Sequence, residues 1–184
     1  MTKRNFLKQF IQENKMVGSI LPSSRFLVKK MLKDTEIEQA KVVVEFGPGT
    51  GIITNKILKR LAPDAHFIVF ELNNDFFKSL QQKLNDPRVI LINDTAQKLP
   101  HYLKENNLNN VQVIISSLPL ANFNIRMAYD IVKTSYECLS KGGVYVQFQY
   151  TLQAKKILLK CFSNAQIKIA ALNVPPAFVY NCKK

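Results

Sequence analysis

A glycine-rich turn directly after a β-branched run constrains this chain more than any other feature. Lys41–Phe46 reads KVVVEF, Gly47–Gly51 reads GPGTG, and an apolar pattern of helical spacing begins at Ile52. Glycines in such a turn let the backbone bend sharply and let a ligand approach the peptide groups closely. A strand, a tight turn and a helix in this order predict the first βαβ unit of an open α/β sheet.

Strand and helix patterns alternate along the rest of the chain. The predicted strands are Lys41–Phe46, His66–Leu72, Arg88–Ile92, Val111–Ser117, Val144–Tyr150, Gln166–Leu172 and Phe178–Asn181, and the predicted helices are Ile52–Leu61, Asn73–Leu84, Ile125–Leu139 and Leu152–Phe162. The last two strands leave no room for a helix between them, so we expect them to form an antiparallel pair. The pattern predicts a Rossmann-like α/β fold, with a seven-stranded, mostly parallel sheet, helices on both faces and an antiparallel edge strand.

The first 33 residues differ in composition from the rest and are predicted to form a basic amphipathic helical segment, followed by one domain over residues 34–184. This segment has eight basic residues and one acid. Its apolar residues share one arc of a helical wheel, and its basic residues flank that arc. The residues of this predicted surface are Arg4, Phe6, Leu7, Lys8, Phe10, Ile11 and Lys15. Such a helix either docks on the domain with its charges in water or lies in a membrane interface.

The overall charge indicates the class of partner, and the cysteines indicate whether a metal is bound. The formal net charge of +13 indicates a polyanionic partner, either nucleic acid or an anionic membrane surface. The three cysteines have no zinc-ligand spacing, so no metal is expected. The sequence has no signal-peptide pattern and no apolar run long enough to span a bilayer. We therefore expect a cytoplasmic protein, peripheral to the inner face of the membrane if it meets one.

Three acids lie at the carboxyl ends of three consecutive predicted strands, at the edge where open α/β sheets bind ligands. Glu71 lies 20 residues after Gly51, where a carboxylate can accept both hydroxyls of a ribose. Glu45 would repel a pyrophosphate but suits an α-ammonium group, which favours S-adenosylmethionine over a nicotinamide dinucleotide. Asp94 either accepts from an adenine amine or caps the segment that begins near Ala96.

The predicted cofactor site comprises the turn, these acids, the residues beside them, and two serines near the N-terminus. Its members are Glu45, Gly47, Pro48, Gly49, Thr50, Gly51, Glu71, Leu72, Asp94, Thr95, Ser23 and Ser24.

Four segments resemble known enzymes. Glu45–Gly51 resembles the cofactor motif of the rRNA adenine dimethyltransferases. Residues 17–25 (VGSILPSSR), 116–123 (SSLPLANF) and 175–180 (PPAFVY) are similar to the bacterial phospholipid N-methyltransferases of the Sinorhizobium type, which are related to those RNA enzymes. The first two of these three segments are quite specific, and the third is looser. The resemblance implies a class I methyltransferase fold and a membrane-surface enzyme that methylates the amine of phosphatidylethanolamine with S-adenosylmethionine.

The turn after the fourth strand distinguishes a lipid acceptor from a nucleic-acid acceptor. Adenine N6 methyltransferases place a polar residue and an aromatic there, which hold and stack on the extruded base. This chain has Ser117 and Leu120 at those positions. We therefore favour a phospholipid substrate, with rRNA methylation and an S-adenosylmethionine-binding domain without catalysis as the alternatives. The predicted acceptor site is Ser116, Ser117, Leu118, Pro119 and Tyr180. We expect no dedicated base, because His66 and His101 have the pattern of structural and surface residues.

Overall fold

Seven strands form a single sheet in the computed structural model, which describes residues 24–184. The strands are β1 (Val42–Phe46), β2 (His66–Phe70), β3 (Val89–Ile92), β4 (Val111–Ser116), β5 (Leu139–Gln149), β6 (Ala165–Ala170) and β7 (Ala177–Lys183). Their order across the sheet is β3-β2-β1-β4-β5-β7-β6. Strands β1 to β5 are parallel, and β7 pairs antiparallel with both β5 and β6. The predicted mostly parallel sheet with an antiparallel pair at one edge is confirmed.

Helices cover both faces of this sheet, as predicted. They are α1 (Arg25–Leu32), α2 (Ile52–Leu58), α3 (Asn74–Lys83), α4 (Leu99–Glu105), α5 (Ile125–Cys138) and α6 (Lys155–Cys161). Buried side chains of α1 and α2 share one core layer with alternate residues of the central strands, such as Val43 and Val69. Buried side chains of α4, α5 and α6 share the second layer with Val44 and Ile68. Because both faces of the central strands are buried, β1 is a continuous apolar run apart from Glu45.

Helix α4 was not predicted from the sequence. It has seven residues, begins at Leu99-Pro100, and buries only Leu99 and Leu103. Two buried positions in seven residues are too few to show a helical period in the sequence. The proline is compatible with the helix, because proline is well tolerated in the first turn.

Strand β5 begins earlier than predicted, directly after α5. Leu139 already pairs with Val111, and the register then shifts before Val144. Gly142 and Gly143, which follow the predicted helix Ile125–Leu139, lie within the irregular part of this strand. A Cβ on Gly143 would lie 2.9 Å from the carbonyl oxygen of Ser140, which requires glycine there. Helix α6 is shorter than predicted and begins at Lys155.

Helix α1 packs on the sheet at its β6–β7 side. Leu27, Val28, Met31 and Leu32 are buried, while Lys29 points to solvent. The predicted membrane-binding surface at residues 4–15 and the predicted cofactor residue Ser23 lie outside the described residues. Within residues 24–184, no helix is long and apolar enough to cross a bilayer.

Candidate active site

The carboxyl ends of β1, β2 and β4 meet at one edge of the sheet. The backbone N–H of Gly47 donates to the Phe70 carbonyl at 2.9 Å, and that of Ser117 donates to the Phe46 carbonyl at 2.9 Å. These bonds extend the ladder by one residue beyond β1 and β4. They place the glycine-rich turn between the end of β2 and the turn after β4, so the predicted cofactor and acceptor residues lie side by side.

The glycine-rich turn needs glycine for two different physical reasons. Gly47, Gly49 and Gly51 have φ values of +67°, +57° and +84°, in the left-handed region. A Cβ on Gly51 would lie 2.8 Å from the Leu80 side chain, so glycine there allows α2 and α3 to pack closely. A Cβ on Gly49 would meet nothing within 4 Å, so the backbone at Gly49 faces open space. That open space is where a ligand can approach the turn.

Glu71 connects the end of β2 to the turn. Its carboxylate accepts hydrogen bonds from the backbone N–H groups of Gly49 at 3.0 Å and Asn73 at 2.8 Å. Burial raises the pKa of this carboxyl group above its usual value, and the two N–H groups offset part of the rise. Asn93 supports the same segment, because its amide donates to the Glu71 carbonyl at 2.8 Å.

Glu45 lies completely buried on β1, and neither of its carboxyl oxygens has a hydrogen-bond partner. Burial raises its pKa to about 8, and the Glu71 carboxylate adds to the rise. The hydroxyl of Thr54 offsets part of the rise, although it does not reach hydrogen-bond geometry. A buried acid without a partner is costly, and a cationic group beside it would relieve that cost.

Asp94 already has protein donors on both oxygens. Oδ1 accepts from the Thr95 N–H at 2.7 Å, and Oδ2 accepts from Lys98 at 2.7 Å and from the Tyr102 hydroxyl at 3.1 Å. Partial burial alone would raise the pKa of Asp94, but the donors from Lys98, Thr95 and Tyr102 lower it. The short helical turn that begins at Ala96 has Thr95 as its N-cap, so the capping role considered for Asp94 is not seen.

Two glutamines on β5 fix the turn after β4, and sequence reasoning missed both. The side-chain amides of Gln147 and Gln149 donate to the Leu118 carbonyl at 2.9 Å and 2.8 Å. Tyr145 in turn donates to the Gln147 side-chain oxygen at 2.8 Å. Two buried amides, spaced two residues apart in an otherwise apolar strand, were the signal available in the sequence.

The predicted acceptor residues have different environments. The Ser116 Oγ accepts from the Leu118 N–H at 3.4 Å, while the Ser117 Oγ is buried without a hydrogen-bond partner. Pro119 is half-buried and precedes a short helical turn at Leu120–Asn122. Tyr180 is completely buried, and its hydroxyl donates to the Thr151 carbonyl at 3.1 Å, so its ring packs in the core.

The remaining predicted residues are distributed around the same edge. Pro48 is buried, Thr50 is exposed, and Leu72 and Thr95 are half-buried. Ser24 caps α1, because its hydroxyl accepts from the Leu27 N–H at 3.2 Å.

Neither histidine lies on the turn after β4. His66 begins β2 at the opposite edge of the sheet, and the His101 side chain on α4 is 67% exposed beside Glu105. Within residues 24–184, no group of three His, Cys, Asp or Glu side chains is placed to hold a metal ion.

A polar cleft of about 560 Å³ lies at the amino edge of the sheet, away from the predicted site. Gln39, Gln112 and Gly143 are among its lining residues, and it contains none of the predicted site residues. Ligands of open α/β sheets bind at the carboxyl edge, so we place the chemistry there.

Comparison with known sequences gives three informative matches. The profile of the family described as "Ribosomal RNA adenine dimethylase" matches residues 9–159. An "Ornithine lipid N-methyltransferase" of Singulisphaera acidiphila is 27% identical over 180 residues, covering 97% of this chain and 94% of that protein. A "Ribosomal RNA small subunit methyltransferase A" of Thermotoga neapolitana is 26% identical over 65% of this chain, which spans only 43% of the RNA enzyme.

Solved structures with low sequence identity have the same fold. A precorrin-6y C5,15-methyltransferase from Geobacter metallireducens superposes with a TM-score of 0.70 at 13% identity, covering 91% of this chain and 93% of that one. The N-methyltransferase NodS from Bradyrhizobium japonicum, solved with S-adenosyl-L-homocysteine, gives a TM-score of 0.67 at 9% identity, covering 88% of each chain.

Proposed function

We propose that this chain, which belongs to the ribosomal RNA adenine dimethylase family and is an S-adenosylmethionine-dependent N-methyltransferase, methylates the primary amine of a membrane lipid. Phosphatidylethanolamine at the cytoplasmic membrane surface is the first acceptor we propose. Ornithine lipid, the acceptor in the name of the lipid-modifying relative, is the second. Both lipids present a primary amine close to the headgroup layer.

The turn after β4 carries this proposal. An adenine acceptor requires an exposed aromatic ring for stacking and a polar side chain that accepts from the target amine. Leu120 and Phe123 are both buried in the core, so neither offers a stacking surface. The turn instead carries the small, half-buried Ser117, whose single hydroxyl suits an amine at the end of a flexible headgroup better than a planar base.

The residues around Glu45 fit the cofactor. The unpartnered Glu45 carboxyl would hold the α-ammonium group, Glu71 the ribose and Asp94 the adenine, while the open space at Gly49 allows close approach. Bound S-adenosylmethionine supplies an electrophilic methyl group on its sulfonium. The protein's main contribution is to hold the amine in line with that group at close range.

Ser117 and Leu118 have separate tasks in this proposal. The Leu118 carbonyl already accepts from two glutamine amides and from the Leu120 N–H at 2.8 Å, so its acceptor capacity is fully used and the turn is held rigid. The Ser117 hydroxyl has no protein partner and would accept an N–H of the lipid amine. Held in this way, the amine nitrogen would face the methyl donor with its lone pair, and the proton that the nitrogen loses would leave to water.

A methyl-transfer assay with labelled S-adenosylmethionine tests the proposal. Vesicles containing phosphatidylethanolamine, vesicles containing ornithine lipid, and unmodified rRNA are offered separately to the full chain. We expect label in the lipid fraction and none in rRNA. Label in rRNA alone would establish the RNA alternative, and S-adenosylhomocysteine binding without any labelling would indicate a domain without catalysis.

A further inference from the structure

Exposed apolar side chains collect at the carboxyl edge of the sheet, on its acceptor side. Ile125 opens α5 after β4, and Leu172 and Val174 lie between β6 and β7, with exposed fractions of 69%, 67% and 73%. Tyr150 and Leu152 follow β5 and are 46% and 49% exposed. Because β4, β5 and β6 run in the same direction, the segments after them share one edge.

Hydrogen bonds join these segments to one another and to α1. The Ala121 N–H donates to the Gln149 side chain at 3.4 Å, which links the segments after β4 and β5. The Ser24 N–H donates to the Asn173 side chain at 3.3 Å, which brings the start of α1 and the exposed Phe26 beside the β6–β7 loop. We name residues 24–26, 117–126, 150–156 and 171–177 together the acceptor rim.

The acceptor rim is uniformly basic. Its charged residues are Arg25, Arg126, Lys155 and Lys156, and the four segments contain no acid. All four side chains are exposed. The other half of the same edge contains the three acids predicted to hold the cofactor, with Glu45 on β1 and Glu71 and Asp94 after β2 and β3. The rim therefore complements a negatively charged partner, whereas the cofactor half does not.

The exposed apolar side chains of the rim distinguish between the two candidate polyanionic partners, RNA and an anionic bilayer. RNA is bound through phosphate contacts and through aromatic or guanidinium planes that stack on bases. The rim has two exposed rings, Phe26 and Tyr150, but its three most exposed apolar side chains are aliphatic and have no stacking surface. A bilayer interface, in contrast, favours aliphatic side chains inserted among headgroups together with cations near anionic lipids.

We propose that the acceptor rim docks on the headgroup layer of an anionic bilayer, with Leu172, Val174 and Ile125 inserted. This orientation turns the acceptor half of the site toward the membrane, so that a lipid amine reaches Ser117 without leaving its leaflet. The inference rests on the proposed lipid acceptor, and it assigns membrane binding to the folded domain in addition to residues 4–15.

Flotation of the full chain with phosphatidylglycerol–phosphatidylethanolamine vesicles tests the rim. The rim variant is Leu172→Asp with Val174→Asp. Its matched control is Gln39→Asp with Asn164→Asp, which makes the same change in net charge at exposed positions on the amino edge. We expect vesicle affinity to fall by about tenfold or more in the rim variant and to stay near that of the unmodified chain in the control.

Two further measurements separate docking from chemistry. S-adenosylhomocysteine affinity should be unchanged in the rim variant, and so should turnover of dihexanoyl phosphatidylethanolamine supplied as monomers. Equal flotation of the rim variant and the unmodified chain would overturn the inference, and so would an equal loss in the control. If the rim variant loses RNA binding but keeps vesicle binding, the inference is also overturned, because the rim would then be an RNA-binding surface. If the unmodified chain docks through the rim but methylates neither form of lipid, docking stands and the proposed acceptor fails.

Discussion

The backbone N–H of Gly49 donates to the carboxylate of Glu71, with 3.0 Å between the nitrogen and Oε2. The bond joins the middle of the glycine-rich turn to the end of the neighbouring strand β2. Glu71 therefore supports the turn. Because we also propose that it binds the ribose, its removal should affect the cofactor site directly and through the turn.

Replacing Glu71 with glutamine should weaken S-adenosylhomocysteine binding. The isosteric amide keeps the size of the side chain but loses charge and one acceptor, which costs about 1.5–3 kcal/mol for a charge-assisted hydrogen bond. Titration calorimetry measures the loss, and Glu105→Gln on the exposed face of α4 is the matched control. Unchanged affinity in Glu71→Gln would remove this residue from the cofactor site. The unmodified chain should show no binding of NAD in the same experiment.

The strand, turn and helix around the glycine-rich turn were the part best predicted from sequence. Gly47–Gly51 and Glu71 belong to a local pattern of strand, turn and helix, and their roles depend on short-range backbone geometry. The acceptor half depends on contacts between distant segments. Leu118 is fixed by Gln147 and Gln149, about 30 residues later in the chain. Spacing along the sequence cannot reveal such a contact, because the register of β5 against β4 decides it.

Gln149→Leu should reduce turnover while leaving cofactor affinity unchanged. The substitution removes one of the three donors to the Leu118 carbonyl, which also accepts from Gln147 and from the Leu120 N–H. It also removes the acceptor for the Ala121 N–H, so the turn after β4 loses two of its restraints. Each unsatisfied buried group costs about 1–3 kcal/mol, and we expect the loss to appear in kcat.

Steady-state kinetics on lipid substrate, combined with S-adenosylhomocysteine calorimetry, checks this prediction. Gln97→Leu, a half-buried glutamine outside the acceptor turn, serves as the control. An unchanged kcat would contradict this prediction. Loss of cofactor affinity in parallel with kcat would show that Gln149 acts on overall folding and not on the acceptor turn.

Glu45 should make the stability of the domain depend on pH. Its pKa is about 8 in the folded state and 4.5 in its ordinary environment, so the folded state binds the proton more tightly. The resulting stability is fully present below about pH 4.5 and is lost as pH rises through about 8. The free energy of unfolding should therefore decrease across this window by an amount on the order of 5 kcal/mol.

Urea denaturation of Glu45→Gln from pH 5 to pH 9 isolates this contribution. The amide does not titrate, so the variant should become more stable relative to the unmodified chain as pH rises, with the difference levelling off above pH 8. Glu38→Gln, at an exposed position paired with Arg60, controls for the loss of one acid. Parallel curves for Glu45→Gln and the unmodified chain would show that Glu45 titrates normally.

The predicted N-terminal helix should contribute to membrane binding through both its apolar arc and its charges. Phe6, Leu7, Phe10 and Ile11 would each contribute about 1.5–3 kcal/mol if fully buried, less the cost of ordering the segment. The basic flank adds an attraction that salt screens over about 8 Å at physiological ionic strength. Neither contribution alone should hold the protein firmly on a bilayer.

Deleting residues 1–15 should therefore preserve the fold and greatly reduce flotation with anionic vesicles. Phe6→Asp with Phe10→Asp should have the same effect, and high salt should weaken binding of the intact chain.

Circular dichroism and thermal unfolding check that the shortened chain still folds. We expect it to fold because α1 packs against the sheet through buried side chains of its own. Flotation isolates the membrane contribution from any change in activity, since it does not depend on turnover. If the shortened chain floats as well as the intact one, residues 1–15 dock on the domain and the acceptor rim alone binds the membrane.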